Sequence, residues 1–300
     1  MKRILATGAT GFLGVHTTRL LKELGFESAA LVRATSNLSL IENAVTDVMR
    51  TEPAIRLADV LEGYAAEAVV HMATDYGRQG TPASDVTRTN LLFSLELLEW
   101  AIARQARLFV NIDTCFTPDY PYLRPYTLSK KQFVTWGQTL CRDSDTKFVN
   151  LVVQHPFGPH DGAGKFVPWV MQQCLTSQET IPLTSGEQCK DFIYVSDVSD
   201  AIRCILANVD DLPDGFSQFE VGRGNAISVR SFVETIHRLT ASKATLDFGA
   251  LPQRPGEIMH SEANIDSLVE LGWLPRVSIE DGLTQTIANF QASSLDRSPQ

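Results

Sequence analysis

The sequence has few cysteines and histidines, and neither type is grouped. No two of the five cysteines stand in a C-x-x-C pair; they are Cys115, Cys141, Cys174, Cys189 and Cys204. The six histidines form no cluster at metal-ligand spacing. Because disulfide frameworks and zinc sites need such groupings, we expect neither disulfides nor a bound metal. Scattered cysteines are typical of a reducing compartment, so a cytoplasmic location is expected.

The chain also lacks long apolar runs and an excess of positive charge. No apolar run approaches the ~20 residues that a membrane-spanning helix needs, so no membrane partner is expected. Lys plus Arg is 26 and Asp plus Glu is 35, which gives a net charge of −9. An acidic chain gains little from counterion release, so we expect no nucleic-acid partner. Met1–Leu5 resembles the basic start of a secretory signal, but Gly8, Gly11 and Gly14 follow, and we expect a first β-strand instead.

Short apolar segments bounded by loops recur along the first half of the chain. They lie at 3–7, 28–32, 68–72, 107–112 and 147–153, with a weaker one at 54–57. Several are continuous rather than alternating, which is typical of strands buried on both faces of a parallel sheet. Helical patterns at 12–24, 90–104 and 129–141 lie between them. The alternation predicts an α/β fold, a Rossmann doubly wound parallel sheet.

The composition changes after about residue 155, where loops rich in proline and glycine begin. We therefore predict a dinucleotide-binding domain over 1–155 and a smaller, interleaved substrate domain mainly over 156–300. A strand near 217–222 is expected to return to the main sheet.

Three glycines follow the first predicted strand and open the first predicted helix. Gly8 would permit a tight turn, Gly11 would let the backbone approach a pyrophosphate, and Gly14 would let the helix pack closely on the sheet. The helix N-terminus presents N–H groups and partial positive charge to phosphates. A glycine-rich turn without a ligand is the alternative. The expected cofactor contacts here are Gly8, Thr10, Gly11, Phe12, Leu13 and Gly14.

The end of the second predicted strand indicates which dinucleotide binds. NAD-selective sites usually place an acidic residue there, whereas this chain has Arg33 followed by Ser36. A guanidinium and a hydroxyl suit a 2′-phosphate, so NADPH is favoured over NADH, with a solvated surface arginine as the alternative. Asp59 and Val60 are expected at the adenine. Further cofactor contacts are expected from Met72, Ala73 and Thr74.

Tyr126 and Lys130 stand four residues apart on a predicted helix and so share one face. A phenol has an ordinary pKa near ~10 and is a ready proton donor, and a nearby ammonium is expected to lower that pKa. Both residues are also expected to touch the cofactor. Thr114, at the end of the fifth strand, could hydrogen-bond the same substrate oxygen that Tyr126 protonates. An exposed helical pair is the alternative.

Four motifs together resemble the extended short-chain dehydrogenase/reductases, the NAD-dependent epimerase/dehydratase family. They are TGATGFLG at 7–14, Thr114, YTLSK at 126–130 and KDFIYVSD at 190–197. The similarity extends over nearly the whole chain, to about residue 285. The resemblance implies a nucleotide-sugar substrate and a homodimer joined through two helices of each subunit, here those after Asn90 and around Tyr126.

Longer segments, among them HMATDYGR and LTSGEQCKDFIYVSD, are similar to those of the CDP-abequose and CDP-paratose synthases. These are 4-ketoreductases of O-antigen and lipopolysaccharide deoxysugar biosynthesis. Sugar 4,6-dehydratases carry an Asp-Glu pair directly after the Ser or Thr, where this chain has Cys115-Phe116. Since 4-epimerases commonly have an acidic residue where Arg33 stands, the resemblance favours a net reductase.

The resemblance also implies substrate contacts in both halves of the chain. Arg254 matches the family's diphosphate-binding arginine, and Lys190 stands where many members have arginine. His155 is expected beside the cofactor and the hexose, with a structural histidine as the alternative. Core packing is the alternative for Phe166 and Trp169. The expected substrate contacts are Asp75, Tyr76, Arg78, Thr114, Lys165, Phe166, Trp169, Lys190 and Arg254.

The prediction is an NADPH-dependent enzyme that reduces the C4 ketone of a nucleotide-diphospho-4-keto-deoxyhexose, namely CDP-4-keto-3,6-dideoxyglucose. Two alternatives stay open at this point. One is a nucleotide-sugar 4-epimerase that retains NAD, and the other is a non-catalytic protein that senses NADP(H) on the same fold.

Overall fold

The computed structural model describes residues 1–52, 55–78, 80–177 and 179–295, with side chains described to residue 292. Its strands are β1 Arg3–Thr7, β2 Glu27–Arg33, β3 Asp47–Thr51, β4 Ala68–His71, β5 Leu108–Thr114, β6 Lys147–Val153, β7 His155–Phe157, β8 Thr180–Leu183, β9 Cys189–Lys190, β10 Phe192–Tyr194, β11 Phe216–Val221, β12 Ile227–Ser228, β13 Thr245–Phe248 and β14 His260–Ser261.

The helices are α1 Phe12–Glu23, α2 Leu57–Val60, α3 Ala83–Thr87, α4 Phe93–Ala103, α5 Arg124–Leu140, α6 Phe166–Thr176, α7 Val195–Ala207, α8 Val229–Leu239, α9 Asp266–Glu270 and α10 Ile279–Leu295. A π-helical segment, Arg88–Leu92, joins α3 to α4, and a 3₁₀ turn, Pro121–Leu123, precedes α5. In the described part of the chain, no helix combines the length and the apolar character needed to cross a membrane.

The chain divides into two compact units. Unit 1 comprises residues 1–153, 199–221 and 266–273. Unit 2 comprises residues 154–198, 222–265 and 274–300.

Unit 1 is built on a seven-stranded sheet in the order β11-β6-β5-β4-β1-β2-β3. All six pairings are parallel. The central strands are buried on both faces, as their continuous apolar sequences require, and β4 is buried at every position. The predicted fold class, a Rossmann doubly wound sheet, is confirmed. β11 lies beside β6 and returns to this sheet from the second half of the chain.

An aromatic cluster seats α5 on the sheet of unit 1. Phe109 and Phe148, on neighbouring strands, stack with ring centroids 5.5 Å apart, and Phe133 of α5 meets Phe148 edge-on at 5.7 Å. Gly137 lets the helix come this close, because a Cβ there would lie 2.4 Å from the Phe148 ring. The helix that carries Tyr126 and Lys130 is thereby held close to β5 and β6.

Unit 2 has its own core around short paired strands. β7 pairs with β10, β8 with β13, and β9 with both β12 and β14. Phe192 stacks on Phe232 with centroids 3.8 Å apart, and Phe157 meets Phe232 edge-on at 5.4 Å. Asp191 accepts hydrogen bonds from the backbone amides of Arg223, Gly224 and Ala263, which ties this core to the turn after residue 222.

Three predicted elements differ from the structure. The third strand is β3 at 47–51 rather than 54–57; residue 54 lies outside the described residues, and Leu57 begins a helix. The helix predicted from Asn90 begins at Ala83 and passes through the π-helical segment, which contains Asn90. The helix predicted from Ser129 begins at Arg124, so Tyr126 lies in its first turn.

Candidate active site

The glycine loop after β1 is shaped for close backbone approach. Gly8 has φ +66°, and a Cβ there would lie 2.5 Å from the amide nitrogen of Ala73. A Cβ on Gly14 would lie 2.1 Å from the carbonyl oxygen of Gly8. Gly14 therefore lets α1 pack on its own loop, whereas the sequence predicted packing on the sheet. Gly11 is the N-cap and has no side chain that could cap the helix.

These features fit a dinucleotide pyrophosphate. A helix start without a capping side chain presents its first backbone amides to an anion. Thr10, Phe12 and Leu13 lie partly exposed on this loop and the first turn of α1, as the predicted contacts require.

The region where the adenosine of the cofactor is predicted to bind carries a second arginine that the sequence analysis did not single out. Arg33 is exposed at the end of β2, and the amide of Ser36 donates to its carbonyl oxygen at 3.0 Å. Arg50, on the neighbouring β3, donates from Nη1 to the carbonyl oxygen of Ala34 at 2.8 Å. Arg33 thus begins the turn after β2, and the guanidinium of Arg50 contacts the backbone of the same turn. The register of β2 and β3 pairs Val32 with Arg50, a placement that the missed β3 concealed from sequence reasoning.

Asp59 and Val60 lie in α2, on the side of the sheet near β3. The carboxylate of Asp59 accepts two hydrogen bonds from the Arg56 guanidinium, at 2.6 and 2.9 Å. The hydrogen bond with Arg56 is the chief cause of the lowered pKa of Asp59. This carboxylate is ionised and already paired, so its role at the adenine stays a prediction.

Thr114, Tyr126 and Lys130 meet at the carboxyl end of β5. Thr114 is the last residue of that strand, and its side chain lies close enough to the phenol of Tyr126 to influence the pKa of that phenol. Thr114 Oγ1 also accepts from the backbone amide of Phe116 at 3.2 Å. Tyr126 and Lys130 are 6% and 2% exposed. The structure therefore brings the three predicted residues together in one place.

The ionisation of this group differs from the sequence expectation. Burial raises the pKa of Tyr126 well above its usual value, and the nearby Tyr76 raises it further, while the nearby Thr114 hydroxyl lowers it. Burial lowers the pKa of Lys130 to about 8, with Asp113 acting in the opposite direction. The pKa of Tyr126 is thus raised rather than lowered, because the cost of burying a phenolate dominates. At neutral pH the phenol holds its proton and can donate it.

A row of polar side chains crosses the sheet beneath α4 and α5, and we call it the polar row. It consists of Thr7, His71, Asn111, Asn150 and Gln218, paired in register across five neighbouring strands. His71 Nδ1 lies 2.7 Å from Thr7 Oγ1, and its Nε2 lies 2.8 Å from Ser94 Oγ. Asn111 donates to Asn150 at 2.7 Å, and Asn150 donates to Gln218 at 3.0 Å.

The polar row extends from the glycine loop to Lys130, the predicted catalytic lysine. Burial lowers the pKa of His71 well below its usual value, and the ammonium of Lys130 adds to the effect, so His71 is neutral. Thr7 Oγ1 also accepts from the amide of Ala73, which fixes the strand end expected to line the cofactor. Lys130 Nζ lies 3.5 Å from Asn111 Oδ1.

Asn90, which the sequence analysis did not assign to the site, holds the loop after β4. Its Oδ1 accepts from the amide of Asp75 at 2.7 Å and from Thr74 Oγ1 at 3.3 Å. Its Nδ2 donates to the carbonyl oxygen of Asp75 at 2.8 Å and to Ser129 Oγ at 3.1 Å. The sequence carried no signal for this role, because Asn90 stood at the predicted start of a helix and its burial is seen only in the structure.

The loop held by Asn90 presents Tyr76 to Tyr126. The two rings lie with centroids 5.0 Å apart, and the guanidinium carbon of Arg78 lies 5.2 Å from the Tyr76 centroid. Asp75 Oδ1 accepts from the amide of Gly77 and closes the turn. Tyr76 therefore packs against the ring of Tyr126, and Arg78 packs against Tyr76. Met72, a predicted cofactor contact that follows β4, is 9% exposed.

The predicted ligand residues of unit 2 have varied surroundings. Lys190 is 5% exposed, donates to the carbonyl oxygen of Ile258 at 2.6 Å and pairs with Glu257 at 3.3 Å. It is thus tied to its own unit, which sequence reasoning did not foresee. Lys165 forms an ion pair with Asp161 at 2.6 Å. Arg254 is exposed.

The remaining predicted residues of unit 2 are aromatic or imidazole groups. Phe166 is 41% exposed at the start of α6, while Trp169 packs against the core of unit 2, as its core-packing alternative requires. His155 lies on β7 with its ring 5.9 Å from that of Phe192, and burial lowers the pKa of His155 to about 3. His155 is therefore neutral over the physiological range.

A parallel sheet, an uncapped glycine loop after β1 and a Thr–Tyr–Lys cluster at the end of β5 define a dinucleotide-binding Rossmann protein of the short-chain dehydrogenase/reductase type. The chain belongs to the NAD dependent epimerase/dehydratase family, whose model matches residues 4–222. The predicted resemblance to that family is confirmed, and with it the prediction of a nicotinamide-dependent enzyme.

Two relatives align with this protein over nearly the whole chain. A CDP-abequose synthase of Salmonella muenchen is 34% identical over 96% of this chain and 97% of its own. A CDP-abequose synthase of Salmonella typhimurium is 30% identical over 95% of this chain and 97% of its own.

Solved structures support the fold. A UDP-glucose 4-epimerase of Thermotoga maritima, solved with UDP-glucose, superposes with a TM-score of 0.83 at 22% identity, covering 97% of this chain and 99% of its own. A UDP-glucose 4-epimerase of Thermus thermophilus, in complex with NAD, gives a TM-score of 0.83 at 21% identity with the same coverage.

Proposed function

We propose that the protein reduces the C4 ketone of CDP-4-keto-3,6-dideoxyglucose with NADPH, in the cytoplasm, as a step of O-antigen deoxysugar biosynthesis. The observation that carries the proposal is the convergence of Thr114 and Tyr126 at the end of β5, with Lys130 one helical turn further along. The likeness to two CDP-abequose synthases over almost their full lengths supports the choice of substrate.

Each of the three side chains has a separate role in the proposed reduction. NADPH, when bound, supplies the hydride that reduces the ketone carbon. The Thr114 hydroxyl orients the ketone oxygen, and Tyr126 donates its phenolic proton to that oxygen as it becomes an alcohol. The Lys130 ammonium stabilises the phenolate left behind until solvent restores the proton. Because the pKa of Tyr126 is raised, the phenol is fully protonated at the start of each turnover at neutral pH.

Replacing Tyr126 with phenylalanine tests this assignment. Loss of a positioned general acid lowers kcat by about 10²- to 10⁴-fold, whereas NADPH affinity should stay within a few-fold of wild type. Tyr122→Phe is the matched control, since Tyr122 is 55% exposed just before α5. Full turnover of the keto-sugar by Tyr126→Phe would rule the mechanism out.

The choice of NADPH over NADH rests on Arg33, which begins the turn after β2 where a 2′-phosphate would lie, and on Arg50, which contacts the backbone of that turn. The hydroxyl of Ser36 stands on the same turn. We expect Arg33→Ala and Arg50→Ala each to weaken binding of 2′,5′-ADP about tenfold or more, since each removes a charge-assisted contact. Binding of 5′-ADP should hardly change, and Arg238→Ala, which removes an exposed side chain of α8 in unit 2, is the control. Equal losses for both nucleotides would refute NADPH selection by these arginines.

The homodimer is the part of the proposal that concerns partners. Leu128 and Trp136 of α5 are 45% and 46% exposed, and their spacing of eight residues places them on one helical stripe. Leu92, 48% exposed, lies in the π-helical segment that packs against α5. A second copy would cover this apolar face. Trp136→Glu should convert the dimer to monomer by light scattering, whereas Leu24→Glu, equally exposed on unit 1, should not; a wild-type monomer would contradict the proposal.

A further inference from the structure

A buried carboxylate lies directly behind the candidate active site. Asp113 stands on β5, one residue before Thr114, and its side chain is 1% exposed. Aspartate is almost never fully buried unless it is paired. The proposed function as described gives Asp113 no role.

Two groups hold one oxygen of this carboxylate in place. Asp113 Oδ2 accepts from Lys131 Nζ at 2.7 Å and from Asn150 Nδ2 at 3.1 Å. Lys131 also donates to the carbonyl oxygen of Thr114 at 2.8 Å, so the pair fixes the end of β5. The other oxygen, Oδ1, is buried without a hydrogen-bond partner in the part of the chain that the structure describes. An ionised carboxylate with one unsatisfied buried oxygen is costly, which favours a role for its charge.

The charge of Asp113 acts on the buried Lys130. Asn111 and Asp113 are two residues apart on β5 and so face the same side of the sheet, where α5 lies. Lys130 Nζ lies 3.5 Å from Asn111 Oδ1, and Asn111 donates to Asn150, the same residue that donates to Asp113. The carboxylate and the ammonium therefore share one hydrogen-bonded network.

Three other titratable groups near Lys130 in the described part of the chain carry no negative charge at neutral pH. His71, on β4, is neutral, and Tyr126, on the same helix as Lys130, holds its proton. Lys131, the next residue of α5, is a cation that disfavours a second positive charge. Asp113 is the anion that offsets both the burial of Lys130 and the charge of Lys131.

We propose that Asp113 is a positioning residue that keeps Lys130 protonated, with Lys131 as the opposing charge that limits its effect. This inference rests on the proposed function only for the role of Lys130, which is to stabilise the Tyr126 phenolate. Asp113 raises the pKa of Lys130, whereas burial and Lys131 lower it, with the balance at about 8. Neutralising Asp113 and neutralising Lys131 should therefore shift the Lys130 pKa in opposite directions. A purely structural role for Asp113 would not produce opposite shifts.

The test measures Lys130 directly, without substrate. In protein labelled with ¹⁵N-lysine, the Nζ signal of Lys130 is assigned by its absence from Lys130→Arg and is titrated from pH 6 upward. We expect Asp113→Asn to lower the Lys130 pKa by about one unit or more and Lys131→Gln to raise it. The Lys130 pKa in the double variant should lie between the values in the two single variants. Asp210→Asn, which removes an exposed carboxylate paired with Arg107, is the control and should leave the titration unchanged.

Activity gives a second, separable readout. The pH at which kcat falls on the alkaline side should move with the Lys130 pKa, downward in Asp113→Asn and upward in Lys131→Gln. An unchanged Lys130 titration in Asp113→Asn overturns the inference even if the keto-sugar is reduced normally. Opposite shifts without any reductase activity would uphold it while the proposed function fails. If Asp113→Asn does not fold, an unchanged or lowered Lys130 pKa in Lys131→Gln overturns it, and a raised one supports it.

Discussion

Replacing Asn90 with alanine would show what holds the loop in front of Tyr126. Asn90 is fully buried, and its single amide group binds both the N–H and the carbonyl oxygen of Asp75 and also reaches Ser129 on α5. Tyr76, the next residue of the loop, packs against Tyr126. The variant therefore removes the link between the loop and the helix that carries the phenol.

The magnitude follows from the hydrogen bonds lost. The three shortest of the four side-chain hydrogen bonds of Asn90 each contribute about 0.5 to 1.5 kcal/mol net, which gives a loss of about 1.5 to 4.5 kcal/mol in the free energy of unfolding. The Ser129 hydroxyl keeps its hydrogen bond to the carbonyl oxygen of Tyr126. The energy lost with the Asn90–Ser129 hydrogen bond is therefore at the low end of the range for one bond. Because domains are typically stable by about 5 to 15 kcal/mol, the variant should remain folded at 25 °C. Its kcat should fall by more than the unfolded fraction explains, since Tyr76 loses its fixed position.

Urea unfolding followed by circular dichroism, together with kcat on folded protein, would measure both effects. Asn208→Ala is the matched control, because Asn208 follows α7 and its amide donates to the carbonyl oxygens of Cys204 and Leu271 in the same unit. That control should lose stability without a specific loss of kcat. An unfolding free energy of Asn90→Ala equal to that of wild type would refute the reasoning, as would an equal loss of kcat in the control.

Three further predictions concern the loop, the helix seat and acid stability. Gly14→Ala should lower the free energy of unfolding by about 1 to 3 kcal/mol and weaken binding of 2′,5′-ADP, because the added Cβ would clash with the carbonyl oxygen of Gly8. Gly162→Ala is the control for both measurements, because a Cβ at Gly162 would enter open space. Gly137→Ala should lower the thermal midpoint and kcat together, since its Cβ would push α5 off Phe148, and a thermal midpoint equal to wild type would contradict the packing argument. The lowered pKa of His155 keeps it neutral when folded, while the unfolded state gains a proton below about pH 6.5, so stability should fall with pH between about 6.5 and 3 by at most about 1.4 kcal/mol per pH unit. Urea unfolding at pH 7.5 and 5.5 measures this fall in stability. His155→Asn should reduce the change of the unfolding free energy with pH, and a pH dependence equal to that of wild type would contradict the prediction.

Much of the fold could be predicted because the central strands are continuous apolar segments, which are distinctive in sequence. β3 was missed because it is an edge strand with mostly exposed residues, so 47–51 carries little apolar pattern. The start of α5 at Arg124 had a usable signal in Pro125, since proline is tolerated in the first turn of a helix. These differences shift element boundaries but leave the predicted sheet intact.

The candidate site was predictable where it depends on local spacing. Tyr126 and Lys130 are one helical turn apart, and Thr114 ends a recognisable strand, so their convergence followed from the order of the elements. The polar row was not predictable, because it depends on the register of five strands that are distant in sequence. The pairing of Lys190 with Glu257 and the packing of Tyr76 on Tyr126 likewise depend on tertiary structure.

The most direct measurement of the central claim is the transfer of deuterium to CDP-4-keto-3,6-dideoxyglucose from NADPH in which both hydrogens at nicotinamide C4 are deuterium. Our account predicts one deuterium at C4 of the product sugar by NMR and one NADPH oxidised for each product molecule formed. Product that forms without the label, through NAD retained by the purified protein, would contradict the account, as would NADPH that binds and is never consumed.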